Sequence, residues 1–278
     1  MDETERSAVG STDATVRPLT VEHDLGAITH LMLPQGISAP APQAARYLRD
    51  VAETARDLVR ERLIEASTGG RPKDVLAAIE AIGAQLVGLY EEHFAHQRRI
   101  DATFERGLGA VECRKGCSFC CYLKVTATIL EVIRIAAALD GEPSRDRSSI
   151  LISTADKVTG LSDRDRLARK VPCPLLIDGA CSIYEVRPVT CRALLSRSAS
   201  LCERQFNASA APDDALLVPS PLTPRLLAAS LINGQIAALR DLGLASHPVE
   251  LVSALAALQR DPKLFVRWLN REDVFARA

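Results

Sequence analysis

Apolar residues recur at intervals of three and four along much of this chain, the spacing that gathers side chains onto one face of an α-helix. Leu48, Val51, Ala52, Ala55, Leu58 and Val59 share such a face and predict a helix from about Pro42 to Ala66. Gly69-Gly70-Arg71-Pro72 ends it and opens the next, with Pro72 suited to a first helical turn. The second predicted helix runs over about 73–106, with Val75, Leu76, Ile79, Ile82, Leu86, Leu89, Tyr90 and Phe94 as its buried stripe. So short a link predicts an antiparallel pair. Gly107 and Gly109 break the periodicity. Thr128-Ile129-Leu130-Glu131 then has the spacing of a capping box, and Ile129, Val132, Ile133, Ala136 and Leu139 form the face of the helix it opens. Asp140-Gly141-Glu142-Pro143 stops that helix. A weaker helical stretch covers 146–159, and a short one follows Ser162. Three more close the chain, over about 224–242, 248–259 and 262–276. Leu226, Leu227, Leu231, Ile232 and Ile236 mark the first, and Phe265, Trp268, Leu269 and Phe275 anchor the last.

Elsewhere the helical period fails. Residues 1–39 are rich in Gly, Ser, Thr and Pro and predict a flexible N-terminal arm with one short ordered piece near Leu25–Leu33. His23 and His30 lie there as surface residues. Residues 205–224 hold four prolines and predict a loop. Leu175-Leu176-Ile177-Asp178-Gly179-Ala180-Cys181-Ser182-Ile183-Tyr184 predicts a small hairpin around an Asp-Gly turn. Pro188 suits the first turn of a helix carrying Cys191. The expected fold is therefore mainly α. A single helical domain over 40–278 surrounds a cysteine-rich, loop-dominated centre with one small β-hairpin.

Composition narrows the function. At 278 residues, 47% of them hydrophobic, the chain can bury a core and is not largely disordered. The 34 Lys+Arg against 35 Asp+Glu leave a net charge of −1, and only 4% of residues are aromatic, so no nucleic-acid surface is expected. No apolar run approaches the roughly 18 residues of a membrane span. Met1-Asp2-Glu3 begins acidic, without an apolar leader, so a cytoplasmic, reducing location is expected.

That location changes the meaning of the eight cysteines, Cys113, Cys117, Cys120, Cys121, Cys173, Cys181, Cys191 and Cys202. All lie in one third of the chain. Under reducing conditions clustered thiols point to metal binding rather than to a disulfide frame or to buried small hydrophobes. Cys113-Arg114-Lys115-Gly116-Cys117-Ser118-Phe119-Cys120-Cys121 packs four thiols into nine residues. Gly116 allows the loop a tight backbone, and Arg114 and Lys115 can offset thiolate charge. Cys191 falls in the first turn of its helix, where the dipole favours thiolate. An ideal two-residue hairpin pairs Cys181 with Leu176, which puts Cys173 and Cys181 on opposite faces. Either the register is bulged, or Cys173 precedes the paired region. Eight thiols exceed the four that one zinc ion or one cubane cluster needs. Two four-ligand sites, or one site with spare thiols, both satisfy the count. Splitting the adjacent Cys120 and Cys121 between two centres is geometrically easier than placing both on one ion. Cys202 is the outlier by spacing.

Neighbouring residues offer supporting roles. Arg187, Arg192 and Tyr184 are candidates to donate to thiolates or sulfides, against the alternative of a helix start and a packed aromatic. His93 and His96, spaced i, i+3, can be ligands or ordinary interface residues, and the second reading is preferred. Glu131 is read as the capping-box acid, Glu203 as a solvated charge and Trp268 as core. Cys117-x-x-Cys120 has redox-pair spacing but lacks the βαβ setting of a thioredoxin.

These motifs resemble the YkgJ family, the zinc- or iron-chelating CxxCxxCC proteins of bacteria. Cys117-Ser118-Phe119-Cys120-Cys121 matches the first motif of that family. Cys173-Pro174-Leu175-Leu176, Gly179-x-Cys181, Ile183-Tyr184, Arg187-Pro188 and Cys191-Arg192 match the second. The resemblance covers roughly 113–192. It departs at Cys113, which three residues rather than two separate from Cys117. It implies a bound metal, zinc or an iron–sulfur cluster, with the eight cysteines as candidate ligands, and leaves room for a protein partner. A similar domain occurs in flagellin lysine N-methylases, so the alternative is an iron–sulfur enzyme, one acting on proteins. No phosphate loop, Gly-x-Ser-x-Gly or His-Glu-x-x-His motif supplies a catalytic centre.

Overall fold

The two longest periodic segments form the longest helices of the computed structural model, α1 (Pro42–Ser67) and α2 (Pro72–Ile100). The structure describes residues 15–33, 38, 40–100, 111–140, 145–208 and 220–276, so the expected stretch of α2 from 101 to 106 lies outside the described residues. A 3₁₀ turn at Phe119–Tyr122 and strand β1 (Thr126–Ala127) lead into α3 (Ile129–Asp140). Next come α4 (Arg145–Val158) and α5 (Asp163–Ala168), the hairpin β2 (Leu176–Ile177) and β3 (Ala180–Cys181), and α6 (Val189–Ala193). α7 (Ala199–Asn207), α8 (Leu222–Asp241), β4 (Val249–Glu250), α9 (Leu251–Arg260) and α10 (Leu264–Leu269) complete the order. The fold is mainly α, and the two sheets among the described residues are antiparallel pairs, β1 with β4 and β2 with β3.

α8 is the central helix, buried along nearly its whole length. It packs chiefly on α1 and also touches α2 and α6. Gly234 makes the close approach to α1 feasible: a Cβ there would stand 2.3 Å from the Ala52 carbonyl oxygen and 2.7 Å from Ala55 Cβ. The two helices are also locked by charge. Arg56 gives Asp241 a two-pronged hydrogen bond, Nε to Oδ2 at 2.6 Å and Nη2 to Oδ1 at 2.9 Å, with side chains 5% and 0% exposed. Around this pair one continuous core joins Val59 and Leu63 of α1, Ile79 and Ile82 of α2, Ile129 and Ile133 of α3, and Leu255 of α9. Trp268 and Phe265 lie fully buried in it, and Trp268 Nε1 donates to the Ala245 carbonyl at 3.0 Å.

Three boundaries differ from expectation. The last helix spans only Leu264–Leu269 rather than 262–276, because the chain turns at Arg271 with φ near 70°. The loop expected over 205–224 is helical at both ends, in α7 up to Asn207 and in α8 from Leu222; residues 209–219 lie outside the described residues. Residues 15–33 have no helix or strand, including over Leu25–Leu33, yet they lie against the helices. Val16 and Leu19 are buried, the Leu19 amide donates to Ser67 Oγ at 2.8 Å, and Met32 exchanges hydrogen bonds with the side chain of Asn233. Tertiary partners replace periodic local bonds along this segment, so its sequence carries no helical signal.

Candidate metal centre

The first cysteine group is shaped by tight turns. Gly116 takes φ near 93°, and the Cys117 amide donates back to the Arg114 carbonyl at 3.0 Å. The 3₁₀ turn then carries Cys120 and Cys121, closed by the Cys121 amide on the Ser118 carbonyl at 2.9 Å. A 3₁₀ turn has three residues per revolution, so neighbouring side chains diverge by about 120°. Cys120 and Cys121 therefore look toward different partners while their thiols stay in hydrogen-bonding contact.

Cys202 joins this group through contacts invisible in its spacing. The Glu112 amide donates to the Ser196 carbonyl at 3.0 Å, and Ser196 returns its own amide to the Cys113 sulfur at 3.0 Å. The Glu112 carboxylate accepts from the Ala199 amide at 2.6 Å, at the start of α7, and Ser198 caps the same helix by accepting from Leu201. Phe206, near the end of α7, packs on Tyr122 and Phe119 with ring centroids 4.6 and 5.9 Å away. α7 is thus held against the 3₁₀ turn at both ends, and Cys202 acts electrostatically on both Cys113 and Cys117.

The second group is built from the hairpin and α6. Leu176 pairs with Cys181 and Ile177 with Ala180, around Asp178 and Gly179 at φ near 49° and 75°. The register is regular, and Cys173 precedes the paired region. Its carbonyl accepts from Leu176, while its amide donates to the Cys121 carbonyl at 2.7 Å, which ties the two motifs together. Cys191 sits on α6, whose start is pinned by Glu131. One Glu131 oxygen accepts from the Thr128 amide at 2.9 Å, and the Glu131 amide donates to Thr128 Oγ1, the expected capping box. The other oxygen accepts from the Val189 amide at 2.8 Å. One buried carboxylate therefore fixes both the start of α3 and the helix of Cys191.

Cys113 feels the charges of Cys117, Cys120 and Cys202, Cys121 and Cys191 both feel those of Cys173 and Cys181, and Cys120 acts on thiols of both groups. All eight are free thiols. A hydrogen bond from Cys121 holds Cys120 below the usual thiol range, with Arg187 helping, and correspondingly raises Cys121. Burial pushes Cys173 up to about 11. Cys191 is also pushed up, first by burial and then by Cys173, Cys120 and Cys181. This corrects the expectation that its helix favours thiolate there: α6 has only five residues, too few to build a dipole that offsets burial.

Cations flank both groups. Arg187 stacks on Tyr184 with its guanidinium carbon 4.0 Å from the ring centroid, and Lys115 lies 5.6 Å from the same ring. Arg187 lowers Cys181 as well as Cys120, and Arg114 lowers Cys117. Arg192 is buried and turned away, donating to the Glu185 carbonyl and to Glu91. His93 belongs elsewhere: its Nδ1 meets the Tyr47 hydroxyl at 2.7 Å between α1 and α2. His96, His23, His30 and Glu203 are exposed.

The donor set suits a thiophilic metal, because soft thiolates select zinc, copper(I) or iron–sulfur centres. Among the described residues, no three Cys, His, Asp or Glu side chains already converge at ligand spacing. The thiols are neighbours, and most are held protonated by burial. A metal would have to displace those protons as it drew the sulfurs in.

Among the described residues no helix is long and apolar enough to cross a membrane. No curated protein and no solved structure matches this chain. Residues 112–210 match the model of the CxxCxxCC family, described as "Putative zinc- or iron-chelating domain". The loops that carry the eight thiols thus lie within the segment that matches that family model.

Proposed function

We propose that the chain is a metal-binding protein that holds zinc or an iron–sulfur cluster through its eight cysteines, divided between two centres. Cys113, Cys117, Cys120 and Cys202 would hold one. Cys121, Cys173, Cys181 and Cys191 would hold the other. The observation that carries this reading is that all eight free thiols, supplied by separate segments of chain, lie near enough to act on one another, Cys113 with Cys117, Cys120 and Cys202, and Cys121 and Cys191 with Cys173 and Cys181. Four thiolates fill a zinc ion's coordination sphere and make a closed, structural site. An iron–sulfur cluster in the same place would supply one-electron chemistry. The chain's own part is to present the sulfurs and to offset their charge with Arg187, Arg114 and Lys115. Eight free thiols accord with work in a reducing compartment.

Elemental analysis of anaerobically purified protein, with acid-labile sulfide assayed on the same sample, tests the reading. About two zinc per chain without sulfide, or iron with matching sulfide, is expected. Cys117→Ser and Cys191→Ser should each remove about half of the metal, and Cys202→Ser should match Cys117→Ser. Loss of all metal in either single variant would point to one shared centre, and full occupancy in both would sink thiol ligation altogether.

A further inference from the structure

A cleft of about 10 Å³ lies between α2, α3, α8 and the start of α6. That volume admits one particle of about the size of a water molecule. Arg134 of α3 and Arg187, just before α6, both line it, among apolar side chains such as Ile82, Leu86 and Val189. None of the eight cysteines does.

Both cations keep free N–H donors. Among the described residues Arg134, which is half-buried, has no hydrogen bond and no ion pair. Shape holds it instead: a Cβ at Gly83 of α2 would stand 2.3 Å from Arg134 Cδ and 2.6 Å from its Nε. Arg187 stacks on Tyr184, which uses the face of the guanidinium and none of its five donors, and its buried Nε has no acceptor. Arg192 is 9% exposed; it donates to the Glu185 carbonyl and to Glu91, but its buried Nε has no acceptor either. The three like charges act on one another, Arg192 repelling Arg134 and Arg187 repelling Arg192. The Tyr90 hydroxyl, buried and also without a partner, feels both Arg187 and Arg192. Glu131 is the only carboxylate among the lining residues, and its two oxygens already accept from the Thr128 and Val189 amides. Buried donors nearly always have an acceptor. A water accepts such bonds but leaves the repulsion in place, whereas an anion accepts them and offsets it.

We propose that this cleft binds a single halide ion, chloride at ordinary salt, between Arg134 and Arg187. A halide is little larger than water, while a carboxylate, phosphate or sulfate has several heavy atoms and exceeds the volume. The apolar walls suit a monatomic anion that needs few further donors. The inference does not depend on the metal reading, because no thiol lines the cleft.

Titration of the full-length protein with sodium chloride, read as broadening of the chlorine NMR line, tests it at constant ionic strength held with sodium gluconate. Bromide and sulfate are the competing probes. Arg187 also acts on Cys120 and Cys181, so the working variants are Arg134→Gln and Gly83→Ala. Gly83→Ala keeps every charge and gains helix propensity, but its methyl group displaces the Arg134 stem. The parent protein should broaden the line, and bromide should remove the broadening while sulfate leaves it. Each variant should bind chloride at least about tenfold more weakly, with circular dichroism and metal content unchanged. If Arg134→Gln loses its circular dichroism, Gly83→Ala alone decides. A line that the parent does not broaden would mean that water fills the cleft and would overturn the proposal. So would broadening equal in parent and variants, which marks diffuse surface chloride, or displacement by sulfate as readily as by bromide.

Discussion

Glu131 does more than its sequence position announces. As a capping-box acid it was legible, because Thr128 lies three residues before it and an apolar run follows. Its second bond, to the Val189 amide, joins residues 58 positions apart and leaves no local trace. Burial raises the Glu131 carboxyl, while the amides of Thr128 and Val189 and the Thr128 hydroxyl hold it down. Glu131→Ala should therefore cost about 2–3 kcal/mol, since it removes a cap and strands a buried amide. It should also lower metal content, because the Cys191 helix loses its anchor. Denaturant unfolding and metal analysis of the same variant check both; unchanged metal content would separate the cap from the centre. His93 was legible only as a choice between ligand and interface, and its bond to Tyr47 decides for the interface. Burial lowers its pKa below the usual imidazole value near 6.5. A lowered folded-state pKa means that its share of stability is complete above about pH 6.5 and is lost as pH falls through the folded value. Melting temperatures should thus decline below pH 6.5, and His93→Phe should flatten that decline. An identical pH profile in the variant would assign the acid sensitivity elsewhere.

The helices were legible wherever an apolar stripe ran for several turns, as in α1, α2, α3 and α8, because periodicity averages over many residues. Short elements were legible only through turn chemistry. Asp178-Gly179 announced the hairpin, and Pro188 announced α6. α7 has neither a long stripe nor a proline start, and its position depends on Glu112, Ser198 and the ring of Phe206. The cap at Ser198 was the available signal, since a serine before a helical run accepts the orphan amides. The α1–α8 contact makes a sharper demand. Gly234 has a helical neighbour on either side, and its lack of a side chain is required only because Ala52 and Ala55 approach from α1. Gly234→Ala should gain helix propensity yet lose about 1–3 kcal/mol through overpacking. Denaturant melts would show it; a stabilised variant would mean that the helices separate at little cost.

The molecule places its cysteine-bearing loops beside a helical core with its own apolar burial and its own buried ion pair. Removing metal should accordingly leave most of the helical circular dichroism in place while residues 112–208 become sensitive to proteases. Limited proteolysis with mass mapping, before and after treatment with a chelator and a reductant, checks this. Cooperative loss of all helical signal would mean that the metal holds the whole fold. The mainly α class, the two long helices, the hairpin turn and the identity of the thiols all follow from local rules: period, turn residues and short spacings act within a few residues of chain. Which thiols become neighbours does not. It rests on contacts such as Cys173 with Cys121, Ser196 with Cys113 and Glu131 with Val189, which bridge 52 to 83 positions. The buried pair of Arg166 with Glu250 likewise joins residues 84 positions apart. Sequence fixes which side chains a segment can offer, but long-range packing selects their neighbours, and the chemistry of a site belongs to those neighbours.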